Sequence, residues 1–166
     1  MASSGNSEIK KLLLMGSKAY ENRKLPNEIT QRIDSAIHQG MIIIVGEAQG
    51  APRLYQDYLH EQGYDNVVVG HARSLRYNAG NWTAIQYGDN LKEREKNMIA
   101  DCDEAIVIWM NKSGVIAQNL ERLKVLGKPT FLYECYSHTP EVHVGPLDPN
   151  RVYDQHLYWK FSKQNS

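Results

Sequence analysis

The stretch "MIIIVGEAQGAPRLYQDYL", residues 41–59, decides the fold. An apolar run ending at Val45 gives way to Gly46-Glu47-Ala48-Gln49-Gly50, and an amphipathic segment begins at once. A continuous aliphatic run of this kind predicts a strand buried on both faces. Leu54, Tyr55, Tyr58 and Leu59 then share one face of a predicted helix over 51–62, with Gly63 closing it. Two glycines and a carboxylate between strand and helix suit either a tight turn or a small anionic or hydroxyl-rich ligand over the strand end.

The same alternation extends in both directions. "KLLLMGS" (11–17) reads as a first strand and "NVVVGHA" (66–72) as a third. "LPNEITQRIDSAIHQG" (25–40) reads as a helix with Ile29, Ile33, Ala36 and Ile37 inward. "EAIVIWM" (104–110) and "KPTFLYEC" (128–135) are the fourth and fifth strands, with a helix to Leu126 between them. Asp89 is the expected cap of a helix over 90–102 whose inward side chains include Leu91, Met98 and Ile99. Residues 73–88, polar and aromatic, break the rhythm and read as a long functional loop.

Nearly all-apolar strands alternating with helices predict an α/β fold: a Rossmann-like, doubly wound, mainly parallel five-stranded sheet with helices on both faces. The expected organisation is a flexible leader over 1–10, one domain over 11–135, and a C-terminal extension over 136–166. Pro140, Gly145, Pro146 and Pro149 interrupt that extension, which is expected to pack on the domain or on a neighbouring subunit.

Charge and composition narrow the function classes. Lys and Arg number 19 and so do Asp and Glu, so the chain lacks the basic excess of a protein that grips a nucleic-acid backbone. No segment has the roughly 18 successive apolar residues of a membrane span, and the N-terminus lacks an apolar signal core. Cys102 and Cys135 read as reduced, buried thiols of a cytoplasmic protein. The six histidines have no metal-ligand spacing. No metal, cofactor, membrane or nucleic-acid partner is expected.

In open parallel sheets, ligands lie beyond the carboxyl ends of the strands, where strand order reverses. That rule selects Gly16, Ser17 and Lys18 after strand one, and Gly46, Glu47, Ala48 and Gly50 after strand two. After strand four it selects Trp109, Lys112, Ser113 and Gly114. Each end offers a glycine for close backbone approach and precedes a helix or long turn whose free N–H groups favour negative charge. Glu47 can accept from sugar hydroxyls, serve as a carboxylate in glycosidic cleavage, or simply bond its own turn. Arg94 and Asn97 lie one helical turn apart and can clamp a phosphate or ribose together, or form part of an exposed charged face. Tyr77, Asn78 and Trp82 of the 73–88 loop are the candidates to meet a base.

Taken in order, "LLLMGSK", "IIIVGEAQGAPRLYQDYLHEQGY" and "REKNMIADCDEAIVIWMNKSGVIAQNLERLKVLGKPTFLY" resemble the SLOG superfamily over residues 11–134. These are Rossmann-like proteins grouped with DprA and the LONELY GUY phosphoribohydrolases; the small stand-alone bacterial and phage members are most similar. The resemblance implies a nucleotide pocket at the strand ends and a homo-oligomer. Pro52 stands where the family often has Asp, and "SGV" replaces its S-x-G-T loop. The "PGGxGTxxE" signature is absent, although Glu121 lies on the following helix. The expectation is therefore binding of a nucleotide-derived molecule, ADP-ribose-like or a cyclic nucleotide, as a sensor or sequestering protein in bacterial or phage defence. The alternative is an N-glycosidase or phosphoribohydrolase using Glu47 or Glu121 as the carboxylate.

Overall fold

A computed structural model describes residues 9–155. In chain order the elements are β1 (Lys11–Gly16), α1 (Asn27–His38), β2 (Ile42–Val45), α2 (Ala51–Glu61), β3 (Val67–His71) and β4 (Thr83–Gln86). They continue with α3 (Leu91–Asp101), β5 (Glu104–Met110), α4 (Gly114–Val125), β6 (Thr130–Cys135) and β7 (Val142–Pro146). They build one sheet in the order β4-β3-β2-β1-β5-β6-β7. All pairings are parallel except β6 with β7.

The chain winds outward from β1 through β2 and β3 to β4, then returns to lay β5 on the other side of β1. α1 and α2 cover one face, burying Ile29, Ile33, Tyr55 and Leu59 against Leu12, Leu14, Ile43 and Val45. α3 and α4 cover the other, burying Met98, Ile99, Ile116 and Leu120 against Leu13, Met15, Ile44 and Val107. The alternation of strand side chains between faces divides the apolar runs into these two cores. Strand order reverses between β1 and β5, so the crevice beyond their carboxyl ends is the switch point.

The doubly wound α/β architecture is the one the sequence predicts, with seven strands in place of five. β4 lies inside the stretch 73–88, which is therefore not one long loop. Its four residues are all exposed, so no buried face imprints a pattern on them. β7 comes from the extension, and Gly145 and Pro146 in its span weaken any strand signal. The cap of α3 is Asn90, not Asp89. The Asn90 side chain accepts from the Glu93 N–H at 2.9 Å, while the Glu93 carboxylate accepts from the Asp89 N–H at 2.8 Å. Leu91, expected inward, is 51% exposed.

The extension packs on its own domain as far as it is described. Arg151 forks the Glu134 carboxylate at 2.8 and 3.0 Å, and the Tyr153 ring meets Trp109 edge-on at 5.8 Å. The rest of the aromatic tail (156–166) and residues 1–8 of the leader lie outside the described residues. Among the described residues, no helix is long and apolar enough to cross a membrane.

Candidate functional site

Ser17 ties the switch point together. Its amide donates to the Ile108 carbonyl at 2.9 Å, its hydroxyl accepts from the Met110 N–H at 2.8 Å, and that hydroxyl lies 3.2 Å from Ser113 Oγ. The loops after β1 and β5 are thereby fixed to one another. The loop after β2 joins them through Gly50, which has φ of 90° and sits so close that an added Cβ would lie 2.3 Å from the Lys18 carbonyl oxygen. The Ala51 N–H then donates to the Ser17 carbonyl at 3.2 Å. Only glycine meets both demands at position 50.

Where the three loops meet, a cavity of about 790 Å³ opens between α3 and α4. Its inner wall is apolar, with Leu14, Met15, Met98 and Ile116, and its rim is charged. Lys18, Lys92, Arg94 and Arg122 face it against Glu21 and Glu95, four cations to two carboxylates. The Lys18 and Lys92 side chains have no acceptor among the described residues. α4 begins here too. Ser113, its N-cap, makes no side-chain cap bond, and Val115 and Ile116 of the first turn line the cavity. The positive end of a twelve-residue helix thus faces the opening, an arrangement that favours an anion.

Beneath the rim runs a chain of charges. Glu47, 1% exposed, lies behind the cavity wall; it accepts from Arg76 Nε at 2.6 Å and from Arg94 Nη1 at 3.4 Å. Arg94 in turn gives Nη2 to Glu95 at 3.1 Å. Burial pushes the Glu95 carboxyl above its usual range, and the Arg94 guanidinium only partly offsets this. Two donors remain unanswered: Arg94 Nε and Asn119 Nδ2 are buried without a hydrogen-bond partner. The other end of the Asn119 amide is committed, since Oδ1 accepts from Arg122 Nη1 at 3.1 Å. A buried donor left unpaired costs roughly 1–3 kcal/mol. Both residues line the same cavity.

Of the residues singled out in the sequence, Gly16, Lys18, Gly46, Ala48, Arg94 and Ser113 line the cavity, and Ser17 and Gly50 hold its loops. Others lie elsewhere. Glu121 is on the far side of α4, accepting the Tyr153 and Asp154 N–H groups and pairing with Lys124 at 2.7 Å. It anchors the C-terminal segment and does not face the cavity. Tyr77 bonds Asp57 through its hydroxyl, with the Arg53 guanidinium over its ring. Asn78 both donates to and accepts from the Trp82 backbone, and Trp82 Nε1 donates to the Tyr64 carbonyl at 2.9 Å. These three brace the β3–β4 connection, so no aromatic platform from 73–88 reaches the cavity.

Asn97 donates to the Tyr87 carbonyl and does not clamp with Arg94, because spacing of three on a helix brings side chains near each other without giving them one target. Trp109 is buried against Tyr153 and donates to the Ser113 carbonyl. Lys112, at φ of 51°, and Gly114 lie on the loop and helix start but outside the lining. Sequence reasoning missed Asn119 and Arg122. Asn119 carried a usable signal, a polar residue within the buried face that includes Ile116, Leu120 and Leu123.

Comparison of the chain with protein-family models, with curated proteins and with solved structures returned no match.

Proposed function

We propose that the chain binds a phosphorylated, nucleotide-derived small molecule in the cavity over β1, β2 and β5, and serves as a cytoplasmic sensor or sequestering protein. One observation carries this reading. At a strand-order switch point, three loops surround an open cavity whose rim combines free lysines with the uncapped N-terminus of α4. The phosphate is placed by Lys18, Ser113 and the first turn of α4, while the sugar and base extend along the apolar wall. Resemblance to the SLOG superfamily points the same way and suggests an ADP-ribose-like or cyclic nucleotide ligand. The test is to denature freshly purified protein and identify the released small molecule by mass spectrometry. A stoichiometric phosphorylated nucleoside supports the reading. A protein that releases none, and that binds no nucleotide when titrated, removes it.

A second reading, hydrolysis of a nucleotide N-glycosidic bond, rests on Glu95. Glu47 is held by two arginines and Glu121 faces away, which leaves Glu95 as a cavity-lining carboxylate positioned by Arg94. Incubation with nucleoside monophosphates and chromatography for free base separates the readings. Release of base that Glu95→Gln abolishes favours hydrolysis, and ligand recovered intact favours binding alone.

A further inference from the structure

The β6–β7 end of the sheet is covered on one face and open on the other. On the α4 side the chain doubles back after Pro146; Leu147 and Tyr153 join the core there, and Arg151 forks Glu134. On the α1 side, no helix among the described residues lies over β7. Phe131 and Tyr133 face that way, since both pack on the α1–α2 core while Leu132 belongs to the other. Tyr133 pairs opposite Val144, Cys135 opposite Val142 and Phe131 opposite Pro146, and residues opposed in an antiparallel pair share a face. Val142 and Val144 are 39% and 48% exposed. The open strip of Phe131, Tyr133, Val142, Val144 and Pro146 thus contains no charged side chain. A groove of about 460 Å³ borders it, walled by Arg32, Ser35 and Gln39 of α1. Gly145 and Pro146 blunt the β7 edge against strand addition, so the face and not the edge is the surface on offer.

The ends of the chain outside the described residues do not suit this strip. Residues 1–8, Met-Ala-Ser-Ser-Gly-Asn-Ser-Glu, are mostly small and polar. In 156–166 the large apolar side chains are Leu157, Tyr158, Trp159 and Phe161, two to six residues past Gln155. Extended chain carries Phe161 at most about 20 Å from there. That path starts on the α4 face, where Tyr153 meets Trp109 of β5, two strands in from the β7 edge. Rounding the edge takes about 10 Å across the strands and about 10 Å for the layer on each face. A second copy has no such difficulty. An isologous contact sets the same uncharged strip against itself with no like charges opposed. Sheets packed face to face stand about 10 Å apart, close to the thickness of the α1 layer beside the strip.

We propose that the β6–β7 part of the α1 face is the contact between two copies of this chain, packed face to face about a two-fold axis, with each β7 seated beside the other's α1. The inference does not depend on the nucleotide reading, because the strip lies on the face opposite the α3–α4 cavity.

The experiment is sedimentation velocity of the full chain across a dilution series, repeated on Val144→Glu and on Val125→Glu. Val125, 80% exposed at the end of α4, lies outside the strip and serves as the control. Circular dichroism and thermal melting establish that the variants are folded. The wild-type chain should sediment as a dimer that dissociates on dilution. V144E should raise the dimer Kd about tenfold or more, and V125E should leave it unchanged. If V144E fails to fold, valine methyl resonances of the wild-type chain decide: those of Val142 and Val144 should shift between dilute and concentrated samples, and those of Val125 should not. A wild-type chain that stays monomeric at every concentration overturns the proposal, whether its own C-terminal segment covers the strip or nothing does. A dimer that V144E leaves as tight as before, or Val142 and Val144 methyls that ignore concentration, overturns the choice of surface.

Discussion

Arg94 Nη1 lies 3.4 Å from Glu47 Oε1, with both side chains almost wholly buried, Arg94 in the cavity wall and Glu47 behind it. The contact joins the loop after β2 to α3, elements that share no hydrogen-bonded strand pairing. Glu47 thus answers the question posed by the Gly46–Gly50 turn in a way neither sequence reading anticipated. It neither lines the cavity nor merely closes its own turn; it pairs with an arginine of a distant helix. Its second arginine, Arg76, brings in the β3–β4 connection as well.

Replacing Glu47 with Gln removes a charge opposite a buried guanidinium while preserving shape. The expected cost is about 1–3 kcal/mol of stability, read as a fall of roughly 2–10 °C in Tm. Ligand affinity should drop together with it, because Arg94 loses its anchor. Arg94→Lys should weaken binding by a similar factor, since an ammonium cannot span Glu47 and Glu95 as the guanidinium does. Double-mutant calorimetry checks the coupling: the two losses should be less than additive if Glu47 acts through Arg94.

Lys18→Ala should separate binding from folding. The ammonium is exposed at the cavity rim and has no acceptor among the described residues, so its removal leaves Tm within about 1–2 °C of the parent chain. Affinity for a phosphorylated ligand should fall about tenfold, and the salt dependence of binding should flatten. Titrations at two ionic strengths measure both effects.

Gly50→Ala addresses the loops themselves. A methyl group there would lie 2.3 Å from the Lys18 carbonyl oxygen, with φ at 90°. Destabilisation of at least 1–3 kcal/mol is expected, accompanied by loss of affinity because the first loop must move. Gly63→Ala, at φ of 65° with open space around it, is the control. It should pay only the backbone cost and leave binding intact. Thermal denaturation and titration of both variants distinguish the two kinds of glycine.

Acid should loosen the C-terminal segment. Burial alone would raise the Glu134 carboxyl, but the Arg151 fork and the Tyr136 hydroxyl more than offset it, so the group sits below its ordinary value of 4.5. Glu121 is likewise held low, its burial outweighed by Lys124 and by the Tyr153 and Asp154 N–H groups. A carboxylate whose folded value is depressed stabilises the fold above its unfolded value, and that stability disappears as pH falls through the folded value. Stability should therefore be flat near neutrality and decline below about pH 4.5. Glu134→Gln should lower stability at pH 7 and make the acid decline shallower. Melting curves between pH 3 and 7 record both slopes.

The architecture was legible wherever a strand is buried on both faces. β1, β2, β3 and β5 are built on runs of leucine, isoleucine or valine, and β6, Thr-Phe-Leu-Tyr-Glu-Cys, is largely apolar and aromatic; with a helix between each successive pair, parallel pairing follows. β4 and β7 were not legible, because exposed edge strands impose no hydrophobic pattern. The site divides the same way. Backbone-determined positions such as Gly16, Gly46, Gly50 and Ser113 follow from the rule about strand ends. Side-chain direction does not. Glu47 turns inward, Glu121 faces the C-terminal segment and Trp82 braces a loop, outcomes that depend on packing partners far away in sequence.

The central claim is that the cavity over β1, β2 and β5 receives a phosphorylated nucleoside. The most direct measurement is amide chemical-shift mapping by NMR on the ¹⁵N-labelled full chain during titration with ADP-ribose. The account predicts saturable shifts confined to residues 16–19, 46–50 and 113–119. Saturating nucleotide that leaves those amides unmoved, or that shifts only β6 and β7, would contradict it.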